Sequence, residues 1–444
     1  MPMTLDLNAE LTRGYDALAR GALDDADAAA QVAVAGAPDQ AEAWRLLARV
    51  QLLRGDRAVA RETLRKGTTT AVDPLLLHGD LAELCIRETD GPGALAAALE
   101  ARRMGGDQVR WVLLTGRARS LVGDFDAAQA DLTLAALHAP DLPEVQLSLA
   151  RLLLSLQRVG DAVGVLQRFG SRHPGGEAVA LLAHATLDEA EPTSALTIVD
   201  AGLAHTPQEP SLRLLKAMLL TLAGDAAGAK PYLDPIERDP YMRARWEMFE
   251  QLRADGCERF VGLPFRVLEL GLDAATVDGH VAEFGVFNGR SLAQIAARHA
   301  GQVHGFDSFR GLPEDWTPSV KRGAFDRGGT PPTVPANAVL HAGAFADTLP
   351  VFAATADAAR LWHVDCDLYS STRTVLDALG SSLVVGSVIV FDDYLGYPDA
   401  RAHEFRAWAE HCAARGIRYR TLAGCLMGRE VALQVEAIGE RAAR

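Results

Sequence analysis

The sequence predicts an α-solenoid of stacked helix pairs over its first half and an α/β domain with a parallel sheet over its second. Two observations carry this. Pro140, Pro174, Pro207 and Pro240 stand 34, 33 and 33 residues apart, with Pro38 and Pro74 earlier on roughly the same grid. Residues 281–309 then read as a strand, a glycine-bearing turn, a helix and a second strand that ends in an acid.

Within each proline-bounded unit a breaker such as Gly55-Asp56, Gly123-Asp124, Gly160-Asp161 or Gly224-Asp225 separates two helical patterns. Helix pairs of this kind cannot bury their own apolar faces and must stack on neighbours. About seven units fit, with 73–106 and 175–207 the most degenerate. One unit carries Gly116, Gly123, Ala128, Leu132 and Pro140; another carries Trp44, Leu47, Gly55, Ala60 and Leu64. These landmarks resemble the tetratricopeptide repeat. Small residues at 116 and 128 allow close helix approach, Leu132 fills the next groove and Pro140 stops the second helix. Stacked repeats form a concave face suited to a protein partner or substrate protein, or the array serves as a scaffold for self-association into a homo-oligomer. The expected division is a repeat domain over 1–240, a linker with a capping helix (Met242 to Leu252) over 241–262, and the α/β domain over 263–444.

Composition excludes several classes. A net charge of −14 argues against general nucleic-acid binding, which needs clustered cations. The five cysteines, Cys85, Cys257, Cys366, Cys412 and Cys425, form no C-x-x-C pair, which gives no zinc pattern and fits a reducing compartment. No run reaches the roughly 18 apolar residues of a membrane span, and residues 1–10 lack the features of a secretory leader. A cytoplasmic protein is expected.

In the second half, Val281–Phe284 forms a strand carrying Glu283. Gly285 and Gly289 bracket a turn in which backbone must come close to something, and Ser291–Ala300 has the 3.6-residue apolar spacing of a helix. Val303–Phe306 is the next strand, with Asp307 at its carboxyl end. Ligands of parallel sheets bind outside those ends, so Glu283, the turn and Asp307 converge on one crevice. The G-x-x-x-G spacing, with Val286 and Phe287 in the tight positions, suits a diphosphate poorly; an adenosyl ligand whose ribose meets an acid fits better. Another nucleotide, or an ordinary turn with no ligand, stays open on these residues alone.

A Pro/Gly-rich stretch to Pro335 follows, placed to cover a ligand. Val339–His341 is a third strand, and a helix start is expected at Asp347–Pro350. Leu361–Val364 ends in Asp365-Cys366-Asp367; Ser370-Ser371-Thr372 opens a helix to Leu379; Leu383–Phe391 ends in Asp392-Asp393. Carboxylates gathered at adjacent strand ends repel unless neutralised, for instance by Mg²⁺ held on oxygen ligands. Such a cation would orient a substrate hydroxyl and lower its pKa for a nearby base. The alternative is that Asp392 or Asp393 caps a turn and Asp367 caps the following helix.

Five segments, 283–291, 305–313, 347–350, 363–372 and 390–394, together resemble the macrocin O-methyltransferase family, with the tail Tyr397-Pro398 … His403-Glu404-Phe405 similar to its repeat-fused branch. The resemblance covers about 260–438. It implies a class I, Rossmann-like fold and methylation of a sugar hydroxyl with S-adenosylmethionine and Mg²⁺. Glu283, Gly285 and Gly289 would line the methionine and ribose end and Asp307 the ribose hydroxyls, with Phe287, Asn288, Ser291, Ser308, Gly343, Phe345 and Asp365 completing the cofactor set. Asp365, Asp392 and Asp393 would be the metal ligands. Asp367 is the expected general base, Asp365 contributes to the catalytic set, and His403 is a second base candidate. Residues 314–337 align with no antibiotic enzyme, which leaves the small-molecule or glycan acceptor open. The contrasting readings are a repeat adaptor whose second domain has lost catalysis, and a protein methyltransferase whose repeats bind the substrate chain.

Overall fold

A computed structural model describes residues 6–187, 192–234, 236–257 and 259–439. The expected absence of a leader at the N-terminus and the last residues of the 263–444 domain fall partly outside these. The chain forms two compact units, 1–139 with 323–328, and 140–322 with 329–444.

The first unit holds four helix pairs: Leu7–Ala19 and Leu23–Gly36 (α1, α2), Ala41–Arg54 and Arg57–Thr70 (α3, α4), Leu75–Arg87 and Gly91–Gly105 (α5, α6), Val109–Leu121 and Phe125–His138 (α7, α8). Small residues set the approach distance. A Cβ on Gly116 would lie 2.8 Å from Leu132 Cγ, and one on Gly67 would lie 2.9 Å from Trp44 Cβ. Buried Asp131 on α8 ties the stack together, accepting from Arg102 Nη1 on α6 and Arg119 Nη1 on α7, both at 2.6 Å. The segment 323–328 counts with this unit; the Phe325 amide donates to Thr89 Oγ1 at 3.1 Å.

The second unit begins with three more pairs: Pro143–Ser155 and Val159–Gly170 (α9, α10), Gly176–Leu187 and Pro192–His205 (α11, α12), and Pro210–Leu222 and the short Ala226–Ala229 (α13, α14). The described residues therefore contain seven helix pairs, the number the proline grid predicts. The degenerate stretches 73–106 and 175–207 still form α5–α6 and α11–α12. The capping helix is longer than expected, Pro240–Ala254 (α15), with Asp239 accepting the amides of Tyr241 and Met242.

An eight-stranded sheet follows: Arg259–Val261 (β1), His280–Phe284 (β2), Val303–Asp307 (β3), Ala338–Ala342 (β4), Ala359–Val364 (β5), Val388–Phe391 (β6), Arg418–Cys425 (β7) and Val431–Ala437 (β8), in the order β1-β7-β8-β6-β5-β2-β3-β4. Strands β4, β3, β2, β5 and β6 are mutually parallel; β8 runs antiparallel to β6 and β7. The helices are Pro264–Ala274 (α16), Arg290–Arg298 (α17), Phe345–Ala353 (α18), Tyr369–Leu379 (α19) and Glu404–Arg415 (α20). One face of the sheet packs Phe284, Phe306, Trp362 and Phe391 against α18–α20; the other packs Val281, Leu361 and Val390 against α16 and α17.

Three expectations need correction. The strand expected over 383–391 shortens to Val388–Phe391, because Gly386 (φ +96°) turns the chain and Ser387 Oγ accepts from the Val384 amide at 2.9 Å. The helix expected from Asp347 starts two residues earlier at Phe345 and carries Pro350 in its interior, where proline removes one i→i−4 hydrogen bond. The helix after Asp367 starts at Tyr369 with Leu368 as its N-cap, so Asp367 does not cap it.

Candidate active site

Register brings the site together. Phe284 on the central β2 pairs with Phe306 on one side and Val364 on the other, so Asp307 and Asp365 flank Gly285 at one sheet edge. The Gly285 amide donates to Phe306 O, the Asp365 amide to Phe284 O and the Asp392 amide to Val364 O, each at 2.9 Å. Gly285 (φ +95°) is required by its neighbour strand, since a Cβ there would lie 1.7 Å from the Asp365 carbonyl oxygen.

The turn 285–289 wraps Asp307. Its Oδ2 accepts the amides of Val286 at 2.9 Å and Phe287 at 2.8 Å, and Oδ1 accepts the Phe309 amide at 2.7 Å. Phe287 sits at φ +47°, a conformation L-residues rarely adopt and that clusters at ligand sites. Gly289 (φ +82°) opens α17, Asn288 Oδ1 accepts the Arg290 amide at 3.3 Å, and Ser308 Oγ accepts the Arg310 amide at 3.2 Å. The Gly343 amide donates to Asp307 O at 3.0 Å. Phe345 is drawn toward the core, edge-on to Phe284 with centroids 6.3 Å apart.

Beneath the turn lies a buried chain of ionisable groups. Fully buried Glu283 holds His363 Nδ1 on Oε1 at 2.8 Å, and His363 Nε2 faces Asp392 Oδ1 at 3.6 Å. Burial disfavours the imidazolium, but the carboxylates of Asp392 and Glu283 outweigh it and hold His363 well above its ordinary pKa. Glu283 Oε2 has no hydrogen-bond partner among the described residues.

Carboxylate oxygens of Asp365, Asp367 and Asp393 come within 4.8 Å of one another. Asp392, expected among the ligands, instead faces His363, and Asp367 takes the third place. Asp367 reaches it at φ +62°. Burial first, then the neighbouring carboxylates, raise Asp365 and Asp367 well above the ordinary range. Burial and Asp392 likewise push Asp393 up to about 6, although Arg429 opposes them. Arg429 Nη1 donates to Asp393 Oδ1 at 2.5 Å, and its guanidinium lies 4.6 Å from the Tyr397 ring and 5.7 Å from Trp316. Trp316 belongs to the segment expected to cover the ligand, and its Nε1 donates to Tyr397 OH at 3.3 Å.

His403 does not join this cluster. It precedes α20, its ring is 6.3 Å from Tyr397, and burial pulls its pKa down. The neighbouring Glu404 is the central group: fully buried, it accepts the amides of Cys366 at 3.3 Å and Asp367 at 3.1 Å on Oε1, and of Asp393 at 3.3 Å on Oε2. Sequence reasoning missed Glu404, His363 and Arg429. An acid in a first helical turn reads as dipole compensation, and the flanking Arg401, His403 and Arg406 give no local signal of its burial.

A cavity of about 430 Å³ opens beside the cluster, reaching His363, Asp392 and Ser291, with Glu430 and Arg245 on its wall. Its volume lies in the range of small-molecule sites. The residues present suit both expected groups. The orphaned Glu283 oxygen and the wrapped Asp307 suit an adenosyl ligand with an amino-acid end. The three mutually repelling oxygens suit a hard cation.

Comparison with known proteins agrees with the second half of this picture. Residues 282–394 match the family described as a methyltransferase domain. Among solved structures, the chain is similar to the O-methyltransferase NovP, at 21 % identity over 39 % of this chain and 80 % of that one (TM-score 0.30). It is similar to CalS11, a calicheamicin methyltransferase, at 22 % identity over 50 % and 91 % (TM-score 0.29). A tetratricopeptide repeat protein from Parabacteroides merdae is similar at 12 % identity over 55 % and 96 % (TM-score 0.43). No curated protein matches the chain. The protein thus joins a tetratricopeptide-like helical array to an α/β domain whose residues 282–394 match a methyltransferase-domain family.

Proposed function

We infer that the protein is an S-adenosylmethionine-dependent O-methyltransferase acting on a sugar hydroxyl, carried by a small glycoside, a nucleotide sugar or a glycosylated protein. The observation that carries this reading is the placement of Asp307 and Asp365 on either side of Gly285, with buried acids one strand further on. The likeness of motifs to the macrocin O-methyltransferase family supports the acceptor class.

When bound, S-adenosylmethionine supplies an electrophilic methyl group, so the protein needs chiefly alignment and a base. Asp307 would accept a ribose hydroxyl on its remaining lone pair, and Glu283 Oε2 and Ser291 would meet the amino-acid end. Asp367 would take the acceptor's proton, since burial raises its pKa toward that of a working base. Asp365 and Asp393 would hold Mg²⁺ beside this base, and the cation would supply charge to lower the hydroxyl's pKa. Arg429 already offsets part of the Asp393 charge. No described helix is long and apolar enough to cross a membrane; a cytoplasmic setting is part of the proposal, as is a protein partner on the repeats.

The test is transfer of labelled methyl from S-adenosylmethionine to panels of sugars, peptides and phenols, with Mg²⁺ and with chelator. Labelled sugar is the expected product. Label on peptides alone would replace this reading with protein methylation, and no transfer despite cofactor binding would favour an adaptor.

A further inference from the structure

The cavity beside the carboxylates has a second wall that the methyl-transfer reading does not use. Arg151 and Leu154 on α9, Glu177 and His184 on α11 and Arg245 on α15 line it opposite Ser291, His363 and Asp392. Repeat helices and catalytic strands thus share one chamber inside a single compact unit. Gly262 fixes the wall in place: a Cβ there would lie 2.0 Å from the His184 carbonyl oxygen, so only glycine lets β1's loop touch α11.

The polar groups on this wall are unbalanced. Arg151 pairs with Glu177. Among the described residues Arg245 makes no ion pair; it donates to the Leu426 carbonyl, and its buried Nε has no partner. His184 is 5 % exposed, and its Nδ1 is also unpartnered. Arg290, at the cavity's other side, is exposed and forms no ion pair among the described residues. The acids facing them offer little compensation. Asp392 is turned to His363, and burial, then Asp392, push the Glu430 carboxyl up to about 8. A buried guanidinium without a carboxylate is costly unless an anion arrives to pair with it.

We propose that this wall is an acceptor subsite that binds a carboxylate or phosphate of the substrate on Arg245, His184 and Arg290, leaving a hydroxyl of the same molecule beside Asp392 and the acidic cluster. The proposal deepens the sugar O-methyltransferase reading and rests on it. It makes the repeat helices part of the substrate pocket rather than a detached recruiting arm. The same anionic chemistry exists in the amino-acid end of the methyl donor, and the experiment separates the two sources.

The probes are D-glucuronate, glucose 1-phosphate and D-glucose, titrated calorimetrically into the full chain with and without saturating S-adenosylhomocysteine. The two anionic sugars are expected to bind at least tenfold more tightly than glucose, and to do so with the homocysteine ligand in place. Arg245→Gln is expected to weaken anionic sugars about tenfold or more, the loss of one charge-assisted contact, while glucose and S-adenosylhomocysteine change less than twofold. Arg245→Lys, which keeps the charge, recovers part of the loss and controls for folding. Equal binding of the three sugars, or no binding of any, overturns the proposal. So does displacement of the anionic sugars by S-adenosylhomocysteine together with a matching loss of its affinity in Arg245→Gln, which assigns the wall to the donor. Failure of S-adenosylhomocysteine itself to bind would remove the methyltransferase reading while the sugar titrations still decide the anion site.

Discussion

At the scale of single residues, the site depends on groups that burial would otherwise neutralise. Asp367→Asn removes the proposed base while keeping its shape. It is expected to lower kcat by about 10²–10⁴-fold, with S-adenosylhomocysteine affinity unchanged by calorimetry; unchanged kcat would transfer the role elsewhere. The acid cluster also dictates a pH dependence. Asp393 rises from 3.8 to about 6 on folding. A group raised in the folded state stabilises fully below its unfolded value and loses that contribution as pH rises through the folded one. Metal-free protein should therefore lose thermal stability between about pH 4 and 6, and Mg²⁺ should restore Tm most strongly above pH 6. A Tm insensitive to Mg²⁺ at pH 8 would contradict the cation site. The acids at 365, 367, 392 and 393 were legible in the sequence because each follows an apolar strand. Which of them meet was not, because the φ +62° turn at Asp367 and the pairing of Asp392 with His363 depend on tertiary contacts. Glu404 was hidden for the same reason, its partners lying 37 and 11 residues away.

At the scale of elements, the helix pairs and central strands could be read directly, since periodicity, Gly-Asp breakers and proline stops are local signals. The edge strand β1 and the antiparallel pair β7–β8 were not read: a three-residue strand carries too little pattern, and β7 is recognised only by its pairing with β8 and β1. Two substitutions test the elements. Asp131→Ala leaves Arg102 and Arg119 without their shared buried acceptor, and about 3–5 kcal/mol of stability should be lost, measured by denaturant unfolding. Gly285→Ala forces a methyl group against the Asp365 carbonyl oxygen at 1.7 Å, so strands β2 and β5 must separate. Loss of soluble protein, or loss of S-adenosylhomocysteine binding in any folded fraction, is expected; a fully active variant would mean that the two strand ends are not packed as described.

At the scale of the whole molecule, the fold class follows from the alternation of a repeat period with a strand–turn–helix–strand segment, and the helical array and the sheet form in that order, while the compact units divide at 139/140 rather than near 240. What the sequence could not give is the membership of α9, α11 and α13 in the same compact unit as the sheet. That association rests on side chains far apart in the chain, such as Gln294 Nε2 on α17 donating to the Ser155 carbonyl of α9 at 2.8 Å. It places repeat residues on the wall of the cavity that meets the acids. The central claim is that the edge between Asp307 and Asp365 holds an adenosyl methyl donor. Isothermal titration of the full chain with S-adenosylhomocysteine tests it most directly. The account predicts one saturable site per chain, weakened about tenfold or more in Asp307→Ala, whereas absence of binding at millimolar ligand, or equal binding by wild type and Asp307→Ala, would contradict it.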